Sequence, residues 1–314
     1  MAPLNAGLVI RRPDPMSVID AIAQAEERGV SAVWSTVGGT APDAVTLFAA
    51  AAVRTARIGL GTAIVPTYPR HPVALATQAL AIAGLAPGRF RLGIGPSHRP
   101  TMEGALGLPM GKPLDHLREY LTVLRGLLWG GSTDFEGTYY RVHAKLPPGI
   151  TPPRIPVPIS ALRANAFRLA GEIADGAISW VCPVPYLINT ALPALRAGAE
   201  AAHRPVPPLI GHVPVAMHTD RQAVRAAART QLATYGRLPF YAGMFADAGF
   251  PVGPDGALPD ALLDELVVAG DAQTVRTRLE AIQAAGVDEL LILMLPIDDA
   301  TAEEAELAAL LART

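Results

Sequence analysis

The sequence predicts a single (β/α)8 barrel of parallel strands over residues 1–314, and three observations support this fold class. Strand-like and helix-like segments alternate along the whole chain, with no composition break that would mark a domain linker. Eight such pairs are found, the number that closes a barrel. The strand segments are almost continuously apolar, as expected for a parallel sheet covered by helices. A doubly wound open sheet is the alternative, and the eight strands favour the barrel.

The eight predicted strands share short apolar runs bounded by glycine, proline or charged residues. They are LNAGLVI (4–10), SAVWS (31–35), RIGLGTAIV (57–65), RFRLGIG (89–95), VPIS (157–160), GAISWV (176–181), LIGHVPVAMH (209–218) and DELLILM (288–294).

Amphipathic segments between these strands predict the helices. They cover 14–29, 42–52, 71–84, 113–129, 165–174, about 185–202, 220–236, 272–286 and 301–313. Several ends carry recognisable signals: Gly29 is placed to terminate the first helix, Pro72 lies in a first turn, and Asp220 and Asp271 are placed as N-caps.

Two departures from the alternation predict insertions. After strand four and its helix, STDFEGTYYRVHAKLPPGITPPRIP (132–156) has alternating polar and aromatic residues and then prolines, which indicates a hairpin and an irregular connection. After strand seven and its helix, Leu238–Gly270 is helical at least in DALLDELVV (260–268). This second segment is either a mobile lid over the pocket or a packed satellite of the core.

Composition excludes several classes of function. The formal charge is −2 and the basic residues are not clustered, which argues against a nucleic-acid partner. No apolar run is long enough to span a membrane, so no membrane partner is expected. No secretory signal is recognised and Cys182 is the single cysteine, so we expect a cytoplasmic protein acting on a small-molecule substrate.

An active site in such a barrel lies at the carboxyl ends of the strands. These ends include Trp34–Thr36, Ala63–Val65, Gly95–Arg99, Ser160–Arg163 and Ser179–Trp180, and they are mostly apolar and uncharged. We find no metal-ligand spacing, no Gly-x-Ser-x-Gly elbow and no pair of carboxylates at successive strand ends. A large apolar pocket of this kind suits an aromatic cofactor that carries the chemistry itself, without a metal.

Individual residues at these ends carry competing interpretations. His98 is either a solvated histidine or the catalytic proton carrier, because its ordinary pKa near 6.5 suits proton transfer. In ISALRANAF (159–167), Arg163 beside a helix start predicts an anion cradle. Trp34 and Trp180 either pack in the core of the barrel or form a hydrophobic wall of the pocket. His212 either has a structural role or lines the pocket, with structure slightly favoured.

The segment IGLGTAIVPTYPRHPVALATQALAIAGLAPGRFRLGIGPS (58–97) resembles the core of the bacterial luciferase-like family. It is similar especially to the deazaflavin (coenzyme F420)-dependent oxidoreductases of that family. The similarity continues through PLDHLREYLTVLRGLLW, RLAGEIADGAISWV and AQTVRTRLEAIQAAGVDELLILM, and so covers nearly the whole chain. It implies a luciferase-like (β/α)8 barrel and, as in many members, a homodimer.

The resemblance also implies which residues hold the cofactor. The end of strand three, Thr62 to Val65, corresponds to a backbone bulge that often contains a non-proline cis peptide and lies against the back of the deazaflavin ring. The loops after strands four and five correspond to those that hold the phosphate-bearing tail. The predicted cofactor-binding residues are Trp34, Thr36, Thr62, Ala63, Ile64, Val65, Gly95, Pro96, Ser97, Ser160, Ala161, Leu162, Arg163 and Asn165.

One departure from the family pattern concerns the proton donor. Many members carry Asp-His or a similar pair after the second-strand tryptophan, and here the stretch is WSTVGG, with Thr36 and a flexible run to Gly39. A hydroxyl and backbone amides orient a ring but do not act as an acid near neutral pH. The expected activity is therefore F420-dependent hydride exchange with a small organic substrate, with reduction of an activated C=C or C=N bond preferred. The alternatives are an FMN-dependent monooxygenase of the same fold and a non-catalytic ligand-binding barrel.

Overall fold

The computed structural model describes residues 4–38 and 41–312 and has a mixed α/β fold built on a curled parallel sheet. Gly39 of the predicted flexible run and Arg313 of the last predicted helix lie outside the described residues. The strands are β1 (Ala6–Val9), β2 (Ala32–Ser35), β3 (Gly59–Thr62), β4 (Val65–Pro66), β5 (Phe90–Arg91), β6 (Ile94–Gly95), β7 (Ser132–Glu136), β8 (Arg141–Lys145), β9 (Ile159–Ser160), β10 (Ala177–Ser179), β11 (Leu209–Ala216), β12 (Val268–Ala269) and β13 (Glu289–Met294).

The helices follow the predicted positions closely. They are α1 (Pro15–Glu27), α2 (Ala44–Arg54), α3 (Pro72–Leu85), α4 (Pro113–Gly130), α5 (Ala164–Ile173), α6 (Val184–Tyr186), α7 (Leu192–Ala201), α8 (Arg221–Gly236), α9 (Pro239–Asp247), α10 (Asp260–Leu266), α11 (Ala272–Ala284) and α12 (Ala300–Leu311), with π-helical turns at Pro100–Ala105 and Leu187–Ala191. None of the helices in the described part of the chain combines the length and apolarity that crossing a bilayer requires.

The strand pairings run in chain order and return to their start. The hydrogen-bonded path is β4-β6-β9-β10-β11-β13-β1-β2-β3-β5. Two predicted strands are each interrupted: the third is divided into β3 and β4, and the fourth into β5 and β6. β3 pairs with β5, and β4 pairs with β6. With each interrupted strand counted once, the eight predicted strands follow one another around the sheet. The parallel α/β alternation predicted from the sequence is confirmed.

The interruptions are places where strands three and four approach very closely. A Cβ at Gly93 would lie 2.0 Å from the Thr62 carbonyl oxygen, so a side chain has no room there. The Thr62 hydroxyl donates to the Gly93 carbonyl (2.8 Å), and the Val65 amide donates to the same oxygen (2.8 Å). The glycine thus allows the two backbones to lie this close together.

The predicted helix signals are confirmed. The Asp220 side chain accepts hydrogen bonds from the amides of Gln222 and Ala223, and Asp271 accepts from Thr274. Pro72 occupies the first turn of α3, and Gly29 follows α1 with φ +82°. The two aspartate side chains thus accept hydrogen bonds from amides of the first helical turn, which have no acceptor within the helix.

Alternation along the strands divides the buried apolar residues into two sets. One set lies between the sheet and the helices, and the other fills the inside of the curled sheet. The inner set comprises Val9, Trp34, Ala63, Ile178, Ile210, Leu291 and Leu293, with Ile64 and Trp180 packed against it.

The hairpin predicted in 132–156 is confirmed as the antiparallel pair β7–β8, with Ser132 opposite Lys145. The other departure starts earlier than the predicted Leu238. The chain leaves β11 at Ala216 and returns beside it, where Val268 of β12 pairs with Val215. Residues 217–267, with α8, α9 and α10, are therefore one excursion from the end of strand seven, which we call the α8–α10 excursion. The cap and periodicity of α8 do not reveal which surface it covers.

Candidate functional site

A cavity of about 1330 Å³ opens at the carboxyl ends of the strands. Its walls come from the segments that follow strands one to five, from the end of strand six, and from the α8–α10 excursion. The volume exceeds the roughly 300–1,000 Å³ of a typical small-molecule site, which leaves room for two molecules side by side. In residues 4–38 and 41–312, no group of three or more His, Cys, Asp or Glu side chains is arranged to hold a metal ion.

The floor of the cavity is formed at the end of strand three. Ala63 and Ile64 both line it, and the peptide bond between them is cis, as the resemblance implies. The Ala63 amide donates to the Ser35 carbonyl (2.8 Å), and the Ile64 carbonyl accepts from the Val37 amide (3.3 Å). Backbone hydrogen bonds to strand two thus hold an uncharged, apolar surface in place.

The amino-terminal end of α5 faces the same cavity. Ser160 to Arg163, Asn165 and Ala166 line the cavity, and Arg163 at the N-cap makes no side-chain capping hydrogen bond. The amides of Ala164 and Asn165 have no acceptor within the described part of the chain. Free amides at a helix start, together with the helix dipole, favour an anionic group of a ligand.

The guanidinium of Arg163 is already paired in the structure. It forms an ion pair with Asp247 at the end of α9 (2.8 Å), with side chains 40% and 50% exposed. It also lies against the α9 backbone, since a Cβ at Gly243 would be 2.4 Å from Nη1. Arg163 therefore joins the start of α5 to the α8–α10 excursion, a contact that the sequence did not predict.

The loop after strand four contributes a histidine whose neutral form is favoured. His98 lines the cavity and its ring meets that of Tyr241 edge-on, with centroids 5.7 Å apart. Burial lowers the pKa of the imidazole, which is therefore neutral near pH 7. Neither ring nitrogen has a hydrogen-bond partner among the residues described. The preceding Ser97 has φ +63°, an unusual left-handed conformation for a serine.

A second aromatic group lies at the end of strand six. The indole Nε1 of Trp180 donates to the Tyr235 hydroxyl (2.6 Å), and both residues line the cavity. Behind Trp180, His212 is stacked with centroids 3.7 Å apart, and its Nδ1 accepts from the Val181 amide (3.3 Å). Burial lowers the pKa of His212 to about 3. His212 does not line this cavity, and the structural role favoured for it stays a prediction.

Most of the predicted cofactor-binding residues and the predicted proton carrier lie together around the cavity. Those that line it are Thr36, Ala63, Ile64, Pro96, Ser97, His98, Ser160, Ala161, Leu162, Arg163 and Asn165.

Four predicted residues do not line the cavity, for identifiable reasons. Trp34 is fully buried inside the sheet, where its Nε1 donates to Glu289 (3.2 Å). The Thr62 hydroxyl is used by its neighbouring strand, and Val65 faces the helices. Gly95 lies behind Ser160, which lines the cavity in its place, since a Cβ at Gly95 would be 2.1 Å from the Ser160 Oγ. Their effects on the cavity are therefore indirect.

Sequence reasoning missed several lining residues. Arg11 and Arg12 follow strand one directly, so the rule that sites lie at strand ends would have found them. Tyr235 had no such signal, because it sits near the end of a helix that looked like an ordinary barrel helix. Met110 and Leu114 come from the connection to α4 and its first turn.

Comparison with known proteins identifies the class. Residues 4–289 match the luciferase-like monooxygenase family, so the chain belongs to that family.

Several relatives are oxidoreductases that use a deazaflavin. The F420-dependent glucose-6-phosphate dehydrogenase of Nakamurella multipartita is 33% identical over 223 residues, which cover 66% of this chain and 66% of that protein. The corresponding dehydrogenase of Beutenbergia cavernae is 34% identical over 208 residues, covering 63% of this chain and 60% of the relative. The chain thus matches slightly less than two thirds of the length of these dehydrogenases. An uncharacterized protein of Mycobacterium tuberculosis is 29% identical over 93% of this chain and 92% of its own length.

Solved structures share the fold over their whole length. An F420-dependent secondary alcohol dehydrogenase with an F420–acetone adduct superposes with a TM-score of 0.82 at 18% identity, covering 100% of both chains. The F420-dependent tetrahydromethanopterin reductase of Methanopyrus kandleri gives 0.76 at 22% identity, covering 99% and 98%. An FMN-containing type II Baeyer-Villiger monooxygenase of Pseudomonas putida gives 0.73 at 19% identity, covering 99% and 97%.

Proposed function

We propose that this chain is an F420-dependent oxidoreductase that transfers a hydride between the deazaflavin and a small organic substrate. The observation that carries the proposal is the cavity itself, which combines an apolar floor at Ala63–Ile64 with the open amino-terminal end of α5. The F420-dependent relatives support the choice of cofactor. We interpret the ring of eight parallel strands as a closed (β/α)8 barrel forming one domain.

The residues at the cavity fit a flat heterocycle with an anionic tail. Ala63 and Ile64 offer an uncharged surface for one face of the ring. Gly95 has no side chain, which leaves room for the hydroxyl of Ser160 beside it. The free amides of α5 and the Arg163 guanidinium would hold the phosphate of the tail. When bound in its reduced form, the deazaflavin supplies the hydride.

The protein's own contribution to proton transfer rests on His98. The neutral imidazole lines the cavity and has no partner among the described residues, so it is free to hydrogen-bond a substrate or a water molecule. Among the described residues no carboxylate pair lies beside it, and the one carboxylate that lines the cavity, Glu103, is paired with Arg99. A site with no strong base favours reduction of an activated C=C or C=N bond over abstraction of a proton.

An FMN-dependent monooxygenase is the second candidate function. The observation that favours it is the close structural likeness to an FMN-containing monooxygenase, with a TM-score of 0.73. FMN carries a flat ring and a phosphate, so the same floor and helix start suit it. The two functions differ in whether the cofactor binds with high affinity and whether turnover consumes oxygen.

Separate titrations with F420 and with FMN distinguish the two functions. We expect tight F420 binding, weak FMN binding, and anaerobic oxidation or reduction of F420 with a panel of enones and imines. Ala63→Trp fills the floor and should abolish F420 binding, whereas Val53→Trp, at an exposed position of α2 outside the cavity lining, is the control. Because Ala63 is buried, Ile64→Glu provides a second floor variant, and the melting temperature reports folding. Tight FMN binding with oxygen uptake and no F420 binding would reject the proposal.

A further inference from the structure

The Tyr235 hydroxyl is a hydrogen-bond donor whose direction is set by the protein. A tryptophan Nε1 only donates, whereas a phenolic hydroxyl has one proton to donate and lone pairs that accept. In the 2.6 Å contact, Trp180 is therefore the donor and the Tyr235 oxygen the acceptor. The proton of the hydroxyl must point elsewhere, and it has no acceptor in residues 4–38 and 41–312. Tyr235 lines the cavity, so a ligand bound in the cavity can supply the acceptor for this proton.

The groups around this hydroxyl hold it rigidly. Trp180 is stacked on His212, which is only 2% exposed and accepts a hydrogen bond from the Val181 amide. The Tyr235 ring packs on the ring of Tyr241, with centroids 4.8 Å apart. Contacts from strand six, strand seven and α9 thus place the oxygen before any ligand arrives, which is the arrangement that a preorganised donor requires.

The position of Tyr235 relative to the floor favours contact with the substrate over contact with the cofactor ring. The floor at Ala63–Ile64 belongs to strand three, and Tyr235 belongs to the excursion that leaves strand seven. In a ring of eight strands, the third and seventh lie opposite each other. A ring held on the floor would therefore leave the space between its free face and Tyr235 for the substrate.

The charge near this donor favours an acceptor that gains negative charge. Arg11 lines the cavity and has no ion-pair partner in the described part of the chain. Its charge lowers the pKa of Tyr235, but burial has the larger effect and raises it, so the phenol stays protonated and able to donate near neutral pH. Arg12, Arg99 and Arg163 are each paired with a carboxylate.

We propose that Tyr235 donates a hydrogen bond to the carbonyl oxygen of the substrate, and that the substrate is an α,β-unsaturated ketone or aldehyde. This inference rests on the proposed function. A hydride that adds to the β-carbon brings two electrons, the C=C electron pair shifts, and negative charge collects on the carbonyl oxygen. The hydroxyl stabilises that charge while keeping its own proton. A water molecule, which the neutral His98 can hydrogen-bond, then gives a proton to the α-carbon and completes the new C–H bond, and the hydroxide left behind is neutralised by the solvent.

The carbonyl stretching frequency of bound cyclohex-2-enone tests this contact without any cofactor or turnover. In the wild type we expect infrared difference spectra to give a lower carbonyl frequency than in water-free solvent, and Tyr235→Phe to remove that shift. Cyclohexenone should bind about 2- to 10-fold less tightly to Tyr235→Phe, the range for a net hydrogen bond. Trp180→Phe, which leaves the hydroxyl free to rotate, should give an intermediate shift.

The controls separate this inference from the proposed function. Tyr68→Phe removes a buried hydroxyl that has no hydrogen-bond partner in the described part of the chain and lies outside the cavity lining, so the carbonyl shift should persist. Cyclohexene, which lacks the carbonyl, should bind equally to the wild type and to Tyr235→Phe. A shift that Tyr235→Phe leaves unchanged overturns the inference, as does equal affinity of the wild type for the enone and the alkene. Normal F420 binding by Tyr235→Phe is expected, and its loss would place the acceptor on the cofactor and also overturn the inference.

Discussion

Arg163 offers a prediction in which two substitutions act in opposite directions. Arg163→Ala removes a guanidinium at the start of α5, and a charge-assisted hydrogen bond to phosphate is worth roughly 1.5–3 kcal/mol, so F420 affinity should fall by about 10- to 150-fold. Asp247→Asn keeps the Arg163 guanidinium and removes the carboxylate that competes with the phosphate for it. A half-exposed ion pair contributes roughly 0.2–1 kcal/mol, so F420 affinity should rise by up to about fivefold.

The assay is equilibrium titration monitored by deazaflavin absorbance, repeated with the deazaflavin riboside that lacks the phosphate. Neither substitution should change the riboside affinity by more than about twofold, because the ring seat at Ala63–Ile64 is unaltered and such a change is only about 0.4 kcal/mol. Two results would refute the reasoning. One is an Arg163→Ala affinity for F420 within about threefold of the wild type, and the other is an equal loss for F420 and for the riboside.

Three further predictions concern packing and titration around the site. Gly95→Ala places a Cβ 2.1 Å from the Ser160 Oγ and should cost about 1–3 kcal/mol of stability and weaken cofactor binding. Gly84→Ala, where a Cβ meets nothing within 4 Å, should be neutral or stabilising, and equal melting temperatures for the two variants would contradict the packing argument. Burial lowers the pKa of His116 to about 4. The unfolded chain, with an ordinary pKa near 6.5, therefore binds the proton first as the pH falls, so His116 should contribute a loss of stability of about 3 kcal/mol between pH 6.5 and 4, in addition to the losses from His98 and His212. In His116→Phe, urea unfolding should show a pH dependence that is smaller by this amount, and an unchanged slope would show that His116 does not contribute. Glu289→Ala leaves the partly buried Arg91 guanidinium and an indole N–H without their carboxylate and should cost about 1–3 kcal/mol, measured by denaturant unfolding, whereas a cost below about 0.5 kcal/mol would mean that the pair is effectively solvated.

Local signals in the sequence were sufficient for the elements and for much of the site. The aspartates at residues 220 and 271 cap helices where predicted, because an N-cap is decided within a few residues of chain. The rule that sites lie at strand ends brought His98 and the start of α5 to one cavity. Nothing beyond the order of strands was needed, since parallel strands all end at one edge.

The same reasoning assigned two tryptophans the same pair of alternative roles, and the structure places them in different surroundings. Trp34 and Trp180 both stand at strand ends, yet the first is fully buried against Glu289 while the second lines the cavity and donates to Tyr235. Both side chains point into the curled sheet, so strand alternation does not distinguish them. Their depth does, and it depends on the stagger of neighbouring strands, which is a property of the whole sheet.

By itself, the sequence determined the alternation of strands and helices, the helix caps, and the largely apolar character of the strand ends. These features depend on the identity and spacing of neighbouring residues. Only the tertiary structure decided that the end of α8 brings Tyr235 to the cavity, that Arg163 pairs with Asp247, and that Trp180 orients Tyr235. Each of these contacts joins elements far apart in the chain. Helical periodicity specifies which face of α8 is apolar but not the surface against which that face packs.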